Sequence, residues 1–511
     1  MLRTSVVVLL VACVPNVPCA GESPTADEVE ALRKQVEALM KADAEKNRKI
    51  EELQKLVNGM AAASRPLPAE TALDRALSRL GEAQRSSAGR PEPARSTVNA
   101  KLIDVSLDVL FLTGGSTADE EEILRLQGGG HDPKKRGFTL PQAELSFAGA
   151  VDPYFDAEMH LVGFIDAGGD SVIELEEAFA TTRFMPFGLQ LKAGHFLTEF
   201  GRMNATHPHT WNWVDQPIIN TRIFGADGMR APGMRLAWLT PAPWYSQLCF
   251  AAQNAEGETM RSFLGNAEGG HHHHGGEGHG EELAAGLAGH PIVERRVRGM
   301  RDLVYTVRWE NSVNITETLT ASFGCSGSHG PNNTGPDGDT WIYGLDFFLK
   351  WKPTDWLRTG QFLTWETEIM RRHFMADEYA FLFDADGDGD PETWAVTPSR
   401  TLHDWGFFTQ VLYGFQRNWA AGLRFEYASG GEDNIHVHAD EGEIHRPSRS
   451  WDAYRDDRWR ISPMMQWRLS EFSRVRFQYN YDRADHLPDG DAHSFWVGLE
   501  FLIGAHPAHK F

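Results

Sequence analysis

The chain has 511 residues and a formal net charge of −22, with 71 acidic residues against 49 basic ones. A balance this acidic argues against a nucleic-acid partner, which would favour basic surfaces. Four cysteines in so long a chain exclude a disulfide-stapled scaffold, and length by itself would suggest several soluble domains.

The chain opens MLRTSVVVLLVAC, where Arg3 precedes an apolar run from Val6 to Ala12. That run is too short to cross a bilayer as a helix and has the form of a secretory signal, assigned to residues 1–20. Cleavage after Ala20 and lipidation at Cys13 within LVAC are both compatible with the residues. Beyond the signal only Cys249 and Cys325 remain, and no later stretch is long and uncharged enough for a transmembrane helix.

Residues 27–60 run in heptads. Val29, Val36, Ile50 and Val57 occupy one seam position and Leu32, Leu39, Leu53 and Met60 the other. β-branched residues at a and leucine at d suit a parallel coiled coil, and Asp43 and Lys46 interrupt the seam in the way that fixes register or strand number. The expectation is a self-associating periplasmic coiled coil that also contacts the periplasm or cell wall. Residues 61–99, rich in Ala, Pro, Arg and Ser, read as a flexible linker.

From residue 100 the period becomes two. In LIDVSLDVLF (102–111), Ile103, Val105, Leu107, Val109 and Phe111 alternate with Asp104, Ser106 and Asp108; RWRISPMMQWRL (458–469) and SRVRFQYNYD (473–482) alternate likewise. Sixteen segments are expected as strands: 100–112, 138–151, 154–165, 172–184, 188–199, 231–240, 244–254, 300–311, 314–325, 340–351, 356–369, 402–414, 419–429, 457–469, 473–484 and 493–503. Every second connection is a short turn, and the intervening ones are mostly long, polar and rich in Gly and Asp. Short turns at one rim and long loops at the other are the pattern of a transmembrane β-barrel. The expected fold is therefore all-β, a 16-stranded antiparallel barrel over 100–511 in the outer membrane, with both termini periplasmic and lipid around its exterior. The alternative, a soluble all-β array, would leave the aromatic-rich outer stripes in water.

The block GFTLPQAELSFAGAVDPYFDAEMHL (137–161), IELEEAFATT (173–182) and MPFGLQLKAGHFLTEFGRMNATHPHTWNWVDQP (185–217) resembles a porin-like outer-membrane family. Its members are labelled zinc-regulated outer-membrane receptors or porins and are related to the phosphate-selective porins. The ending GAHPAHKF with its terminal Phe511 and the His-rich mid-chain loop are similar to that family as well, whereas the heptad segment is less typical of it. The resemblance covers most of 137–511 and implies a channel, porin-like and expected as a homotrimer, that passes small ions with zinc or another divalent metal as solute. A plugged, energised receptor would need a larger barrel and a folded plug domain, for which signal, heptads and linker leave no room.

Of 21 histidines, those at 131, 207, 209, 271–274, 279, 290, 329, 373, 436, 438, 445 and 486 are expected in the long connections. The run GGHHHHGGEGHGEE offers His271, His272, His273, His274, Glu277, His279 and Glu281, with His290 beyond it, as an external metal-collecting loop. Imidazole mixed with carboxylate suits Zn²⁺, Cu²⁺ and Ni²⁺, although a Gly-rich run sets no rigid tetrahedron and is equally readable as a solvated low-complexity loop. The third long loop (200–230) has the length and chemistry to fold inward and narrow the channel, with His207, His209 and Asp215 at the constriction; the competing reading has His207-Pro208-His209 in a surface turn. DADGDGDPE (384–392) places Asp384, Asp386, Asp388 and Asp390 as oxygen ligands for calcium, but Ala395 stands where an EF-hand-type loop carries its bidentate Glu. Arg424, Arg458, Arg460, Arg468, Arg474 and Arg476 fall on the polar stripe of neighbouring strands as a basic lumen wall, the feature that points to phosphate or another anion as the alternative solute. A third reading makes the barrel only an anchor for a structural tether. No Ser/His/Asp arrangement stands in a recognisable setting and Cys325 lacks a placed base, so no enzyme is expected, and no cofactor is required.

Overall fold

The structure is a computed structural model that describes residues 103–265, 290, 292–293, 295–383, 393–430, 434–439, 442–447 and 457–504. The signal, heptad and linker segments (1–99), the run from His271 to Glu281, Asp384 to Asp390 and Phe511 lie outside the described residues.

Alternation becomes a closed sheet. The first strands are β1 (Asp104–Ser116), β2 (Gly137–Ala150), β3 (Phe155–Ile165), β4 (Ser171–Thr182), β5 (Leu189–Leu197), β6 (Arg230–Leu239), β7 (Tyr245–Asn254) and β8 (Leu303–Thr316). There follow β9 (Leu319–Pro331), β10 (Asp339–Trp351), β11 (Phe362–Ala376), β14 (Arg400–Gln416), β15 (Trp419–Ala428), β18 (Arg458–Ser470), β19 (Ser473–Ala484) and β20 (Asp491–Gly504). These sixteen pair antiparallel in order, and β20 returns to β1 from Ser106↔Gly504 to Ser116↔Ser494. Closure removes both sheet edges. Four further strands, β12 (Tyr379–Phe383), β13 (Thr393–Thr397), β16 (Asn434–Ala439) and β17 (Gly442–Pro447), lie in the sixth and seventh long connections and form a separate sheet in the order β12-β13-β16-β17.

The two faces of the barrel wall differ as period two requires. Outward positions such as Leu345, Ile369, Leu423 and Leu499 are exposed and apolar, while inward neighbours such as Asp346, Glu368, Arg424 and Glu500 are buried and polar. Outward aromatics gather near both rims. Trp419 stacks on Trp467 towards the short-turn rim at 5.5 Å, and Trp405–Tyr427 and Trp459–Tyr481 pair towards the other at 5.1 and 5.3 Å. An apolar band between two aromatic girdles is the surface a bilayer requires of a spanning barrel.

Two expectations are corrected. Residues 356–361 do not begin a strand: Trp356–Thr359 form a helical turn closed by Gly360 at φ 75°, and β11 runs on to Ala376 instead. His329 and His373, expected in long connections, sit on the outer faces of β9 and β11, where His329 packs against Trp341 at 4.1 Å and His373 against His403 at 4.6 Å.

The long connections near the N-terminal half fold into the barrel. Loop 1 (117–136) carries α1 (Glu120–Leu126), started by a capping box between Asp119 and Glu122. Loop 3 (198–229) carries a 3₁₀ turn at Pro208–Thr210 and α2 (Ile218–Phe224). The apolar side chains of α2 join Phe200, Met260, Phe263 and the wall residues Ile342, Met370 and Phe408 in one buried cluster. Each such side chain contributes roughly 1.5–3 kcal/mol by leaving water, so loop 3 is held by a hydrophobic core of its own inside a polar lumen. Loops 1 and 3 also interlock, with Gln216 N donating to Asp132 Oδ1 at 2.9 Å and Gly130 N to Ala226 O at 2.8 Å.

Candidate functional site: the third loop against the barrel wall

Loop 3 leaves β5 and is closed at its neck by Asn204, whose side chain donates to Thr198 O and Met229 O and accepts from Met229 N at 2.8 Å. Gly201 has φ 59°, and a Cβ there would lie 1.8 Å from Glu368 Oε1. Glycine is therefore required both by the left-handed backbone and by the close approach of the β11 carboxylate. The other oxygen of Glu368 accepts from Arg202 N at 3.1 Å and Met203 N at 3.2 Å.

The middle of the loop crosses to the opposite wall. Asp215 accepts from Arg460 Nη1 at 3.0 Å, Gln478 Nε2 at 2.7 Å and Asn480 Nδ2 at 2.8 Å, and is ion-paired with Arg424. Burial alone would raise this carboxyl, but Arg424 and Arg460 outweigh it and hold Asp215 below the usual carboxylate range. Trp213 Nε1 donates to Ser462 O at 2.9 Å and Ile218 N to Glu426 at 2.8 Å. Arg458 and Arg460 share Asp482 at 2.9 and 2.8 Å, and Arg474 and Arg476 share Glu500 at 2.7 and 2.5 Å. Arg474 and Arg476 also donate to the loop carbonyls of His209 and Trp213 at 2.7 and 2.9 Å. Five of the six wall arginines thus fasten loops 1 and 3 and are matched by Asp215, Glu426, Asp482 and Glu500. The sixth, Arg468, is exposed near the short-turn rim.

Between neck and middle, loop 3 delivers His207 and His209 to the wall of β2, β3 and β4. His207 Nδ1 lies 2.8 Å from Glu176 and its Nε2 2.8 Å from Glu177. His209 Nδ1 lies 2.9 Å from Glu144 Oε2, and His160 Nδ1 is 3.0 Å from Glu144 Oε1. The rings of His160 and His207 are 4.5 Å apart, and those of His207 and His209 are stacked at 5.5 Å. Three imidazoles and three carboxylates converge here. His207 is lowered by burial, but Glu176 and Glu144 overturn this and keep it well above the ordinary imidazole range.

The wall residues arrive by register. Ser146 of β2 stands opposite His160 of β3, and His160 opposite Glu177 of β4. Immediately beyond, Leu161 pairs with Leu175, so Glu176 is an extra residue in β4. This β-bulge turns two consecutive glutamates, both buried, to the lumen side. Glu144, His160, Glu176 and Glu177 were not anticipated. The doublet in IELEEAF, which breaks a strict alternation, is the trace the bulge leaves in the sequence.

Glu144, His160 and His207 offer ligand atoms that all lie within 4.8 Å of one another. Imidazole and carboxylate together suit Zn²⁺ and its neighbours, bound at about 2.0–2.2 Å, so a small contraction of the group would enclose an ion. One nitrogen of His207 would then bind the ion while the other kept its glutamate, the carboxylate–histidine–metal arrangement that orients such ligands. His290 is buried elsewhere, in a short stretch where Val293 N donates to Asn333 O at 2.7 Å.

No family model matches the chain. It is 28% identical over 468 residues to an uncharacterized protein of Aquifex aeolicus (strain VF5), covering 88% of each chain. Among solved structures it is similar to the outer membrane channel DcaP of Acinetobacter baumannii, at 11% identity and TM-score 0.45 over 81% of this chain and 100% of that one. It is also similar to OprB of Pseudomonas putida, at 10% identity and TM-score 0.42 over 79% and 94%. A third likeness is to an anion-selective porin from Comamonas acidovorans, at 9% identity and TM-score 0.40 over 79% and 99%. At TM-scores under 0.5 these likenesses carry no inference about solute or mechanism.

Proposed function

We propose that the protein is an outer-membrane channel that admits zinc or a chemically similar divalent metal. The observation that carries this reading is the delivery of His207 and His209, by a loop folded into the lumen, onto Glu144, His160, Glu176 and Glu177. A barrel with an apolar outer band and a polar interior supports a membrane channel, and a borderline donor set on the solute path supports a metal rather than a sugar or an alkali ion. The paired arginines favour no anion path, since Arg424, Arg458, Arg460, Arg474 and Arg476 are all ion-paired with buried carboxylates.

In this reading the run from His271 to His274, with Glu277, His279 and Glu281, concentrates the ion outside the cell. The heptads of 27–60 join three copies on the periplasmic side and contact the cell wall. Calcium at Asp384, Asp386, Asp388 and Asp390 would steady an external loop.

The test is conductance of the purified protein in a planar bilayer. Micromolar zinc is expected to reduce the current reversibly and magnesium to leave it unchanged. Reversal potentials under a salt gradient should show cation preference. A channel indifferent to zinc and selective for phosphate would overturn the metal reading, and absence of any conductance would leave only an anchor.

A further inference from the structure

Near the long-loop rim, the outer face of the barrel carries a row rich in imidazole and aromatic rings. Tyr305, His329, Trp341, His373 and His403 stand opposite one another in turn across β8, β9, β10, β11 and β14. Two residues deeper, Arg371 of β11 lies between Tyr343 of β10 and Trp405 of β14. Alternate residues of a strand share a side, and Arg371, Trp341, Tyr343, His403 and Trp405 are all exposed on the outside of the wall. Their rings form one surface: Trp341 stacks on Tyr343 at 6.1 Å, Tyr343 meets His373 edge-on at 5.8 Å, and His373 meets His403 at 4.6 Å.

Arg371 is met by no carboxylate among the described residues. Its neighbours on this face are Ile369, His373, Tyr343 and Trp405. Asp339, the carboxylate of this part of the face, lies 3.6 Å from His329 instead. Arg483, the other outward arginine of a described barrel strand, stands opposite Asp491 in its ladder. An outward cation is costly at the bilayer midplane and nearly free at the interface, and the tryptophans beside Arg371 mark the interface level. The groups that meet a guanidinium there are headgroup phosphates, which it binds with two parallel N–H donors.

We propose that Arg371, His373 and His403, flanked by Trp341, Tyr343 and Trp405, bind the phosphorylated headgroup of an outer-leaflet glycolipid. Arg371 and His403 are diagonal neighbours across the ladder, about 7–8 Å apart, so both reach the oxygens of one phosphate with His373 between them. Imidazole N–H groups add donors to those of the guanidinium. The occupant is a lipid and not a soluble anion, because the surface continues below Arg371 into the exposed apolar pair Leu345 and Ile369, where acyl chains lie. A second copy presenting the same face about a two-fold axis would set arginine against arginine. The inference needs only that the barrel spans a membrane, and it is independent of the solute that passes through.

The experiment titrates the full chain in detergent with diphosphoryl lipid A and follows the tightest-bound lipid by native mass spectrometry. The double variant Arg371→Gln/His403→Gln should bind it about tenfold more weakly or worse and keep the heat-resistant migration of the folded barrel. Arg483→Gln, whose arginine already faces a carboxylate, should bind as the wild type does. Lipid A stripped of its phosphates should bind wild type and double variant alike. Equal affinity of the two proteins for the phosphorylated lipid overturns the proposal, as does equal affinity of the wild type for the stripped one. Inorganic phosphate that displaces the lipid at equal concentration would make this a site for a free anion and overturn it too. A double variant that falls to a smaller oligomer without lipid would assign the face to a second copy instead.

Discussion

Asp215 on loop 3 receives Arg460 of β18 at 3.0 Å, inside a set of donors that also includes Arg424, Gln478 and Asn480. The same loop meets the other wall through His207 and His209. It is held by two chemically distinct clamps, guanidinium–carboxylate at one wall and imidazole–carboxylate at the other. The first changes little with conditions near neutrality, while the second is the clamp that the proposed metal would have to open.

Asp215→Asn should loosen the first clamp. The variant keeps the size of the side chain but leaves two buried guanidinium groups short of a counter-charge, a loss of about 3–5 kcal/mol when one partner of a buried pair is removed. The expected outcome is larger and noisier single-channel conductance with the barrel still assembled. Wild-type noise in this variant would show that the clamp does not position the loop.

Acid should do the same more gradually. The folded pKa of Asp215 lies below its unfolded value, so its contribution to stability is complete above the unfolded pKa of about 3.9 and is lost as pH falls through the folded one. Current noise should stay flat from neutrality to about pH 4 and rise below it. Asp215→Asn should remove that acid step.

His207→Ala should remove a ligand from the lumenal cluster, and Glu176→Gln one of its supporting carboxylates. Zinc block of the current should weaken by about 10–100-fold in the glutamine variant and by more in the alanine variant. Magnesium should be without effect in either. Equal zinc sensitivity in wild type and His207→Ala would remove the cluster from the solute path.

Gly201→Val should displace the neck of loop 3. A side chain there meets Glu368 Oε1 at 1.8 Å from its first carbon and must adopt φ 59°. The backbone conformation alone costs roughly 1–2 kcal/mol. Limited proteolysis within 200–230 should accelerate relative to the wild type, while the sheet content by circular dichroism stays constant.

The barrel was legible because alternation, strand length and turn spacing are local properties of the chain, and all sixteen expected strands recur in the closed sheet. Boundaries slipped where a local signal was ambiguous, as at Trp356–Thr359, where two apolar residues followed by Arg358 and Thr359 make a helical turn. The inward path of loop 3 was readable from its length and from Trp211, Trp213 and the two histidines. Its wall partners were not, because Glu144 and His207 are 63 positions apart in sequence and meet only once the sheet has closed. The pairing of two loops through Ala395↔Ala439 and Val396↔His438 was hidden for the same reason. The arginines were expected on the polar stripe; the carboxylate partners of five of them, on loop 3, β15, β19 and β20, depend on three-dimensional placement.

The seam between β1 and β20 joins Ser106 to Gly504. β1 pairs with β2 early but cannot fill its other edge until β20 has emerged, so that edge must be kept from sticking to neighbours throughout synthesis and export. Maturation is consequently all-or-nothing: a product truncated before residue 491 would have no partner for that edge of β1, and its open edge would mark it for aggregation or degradation.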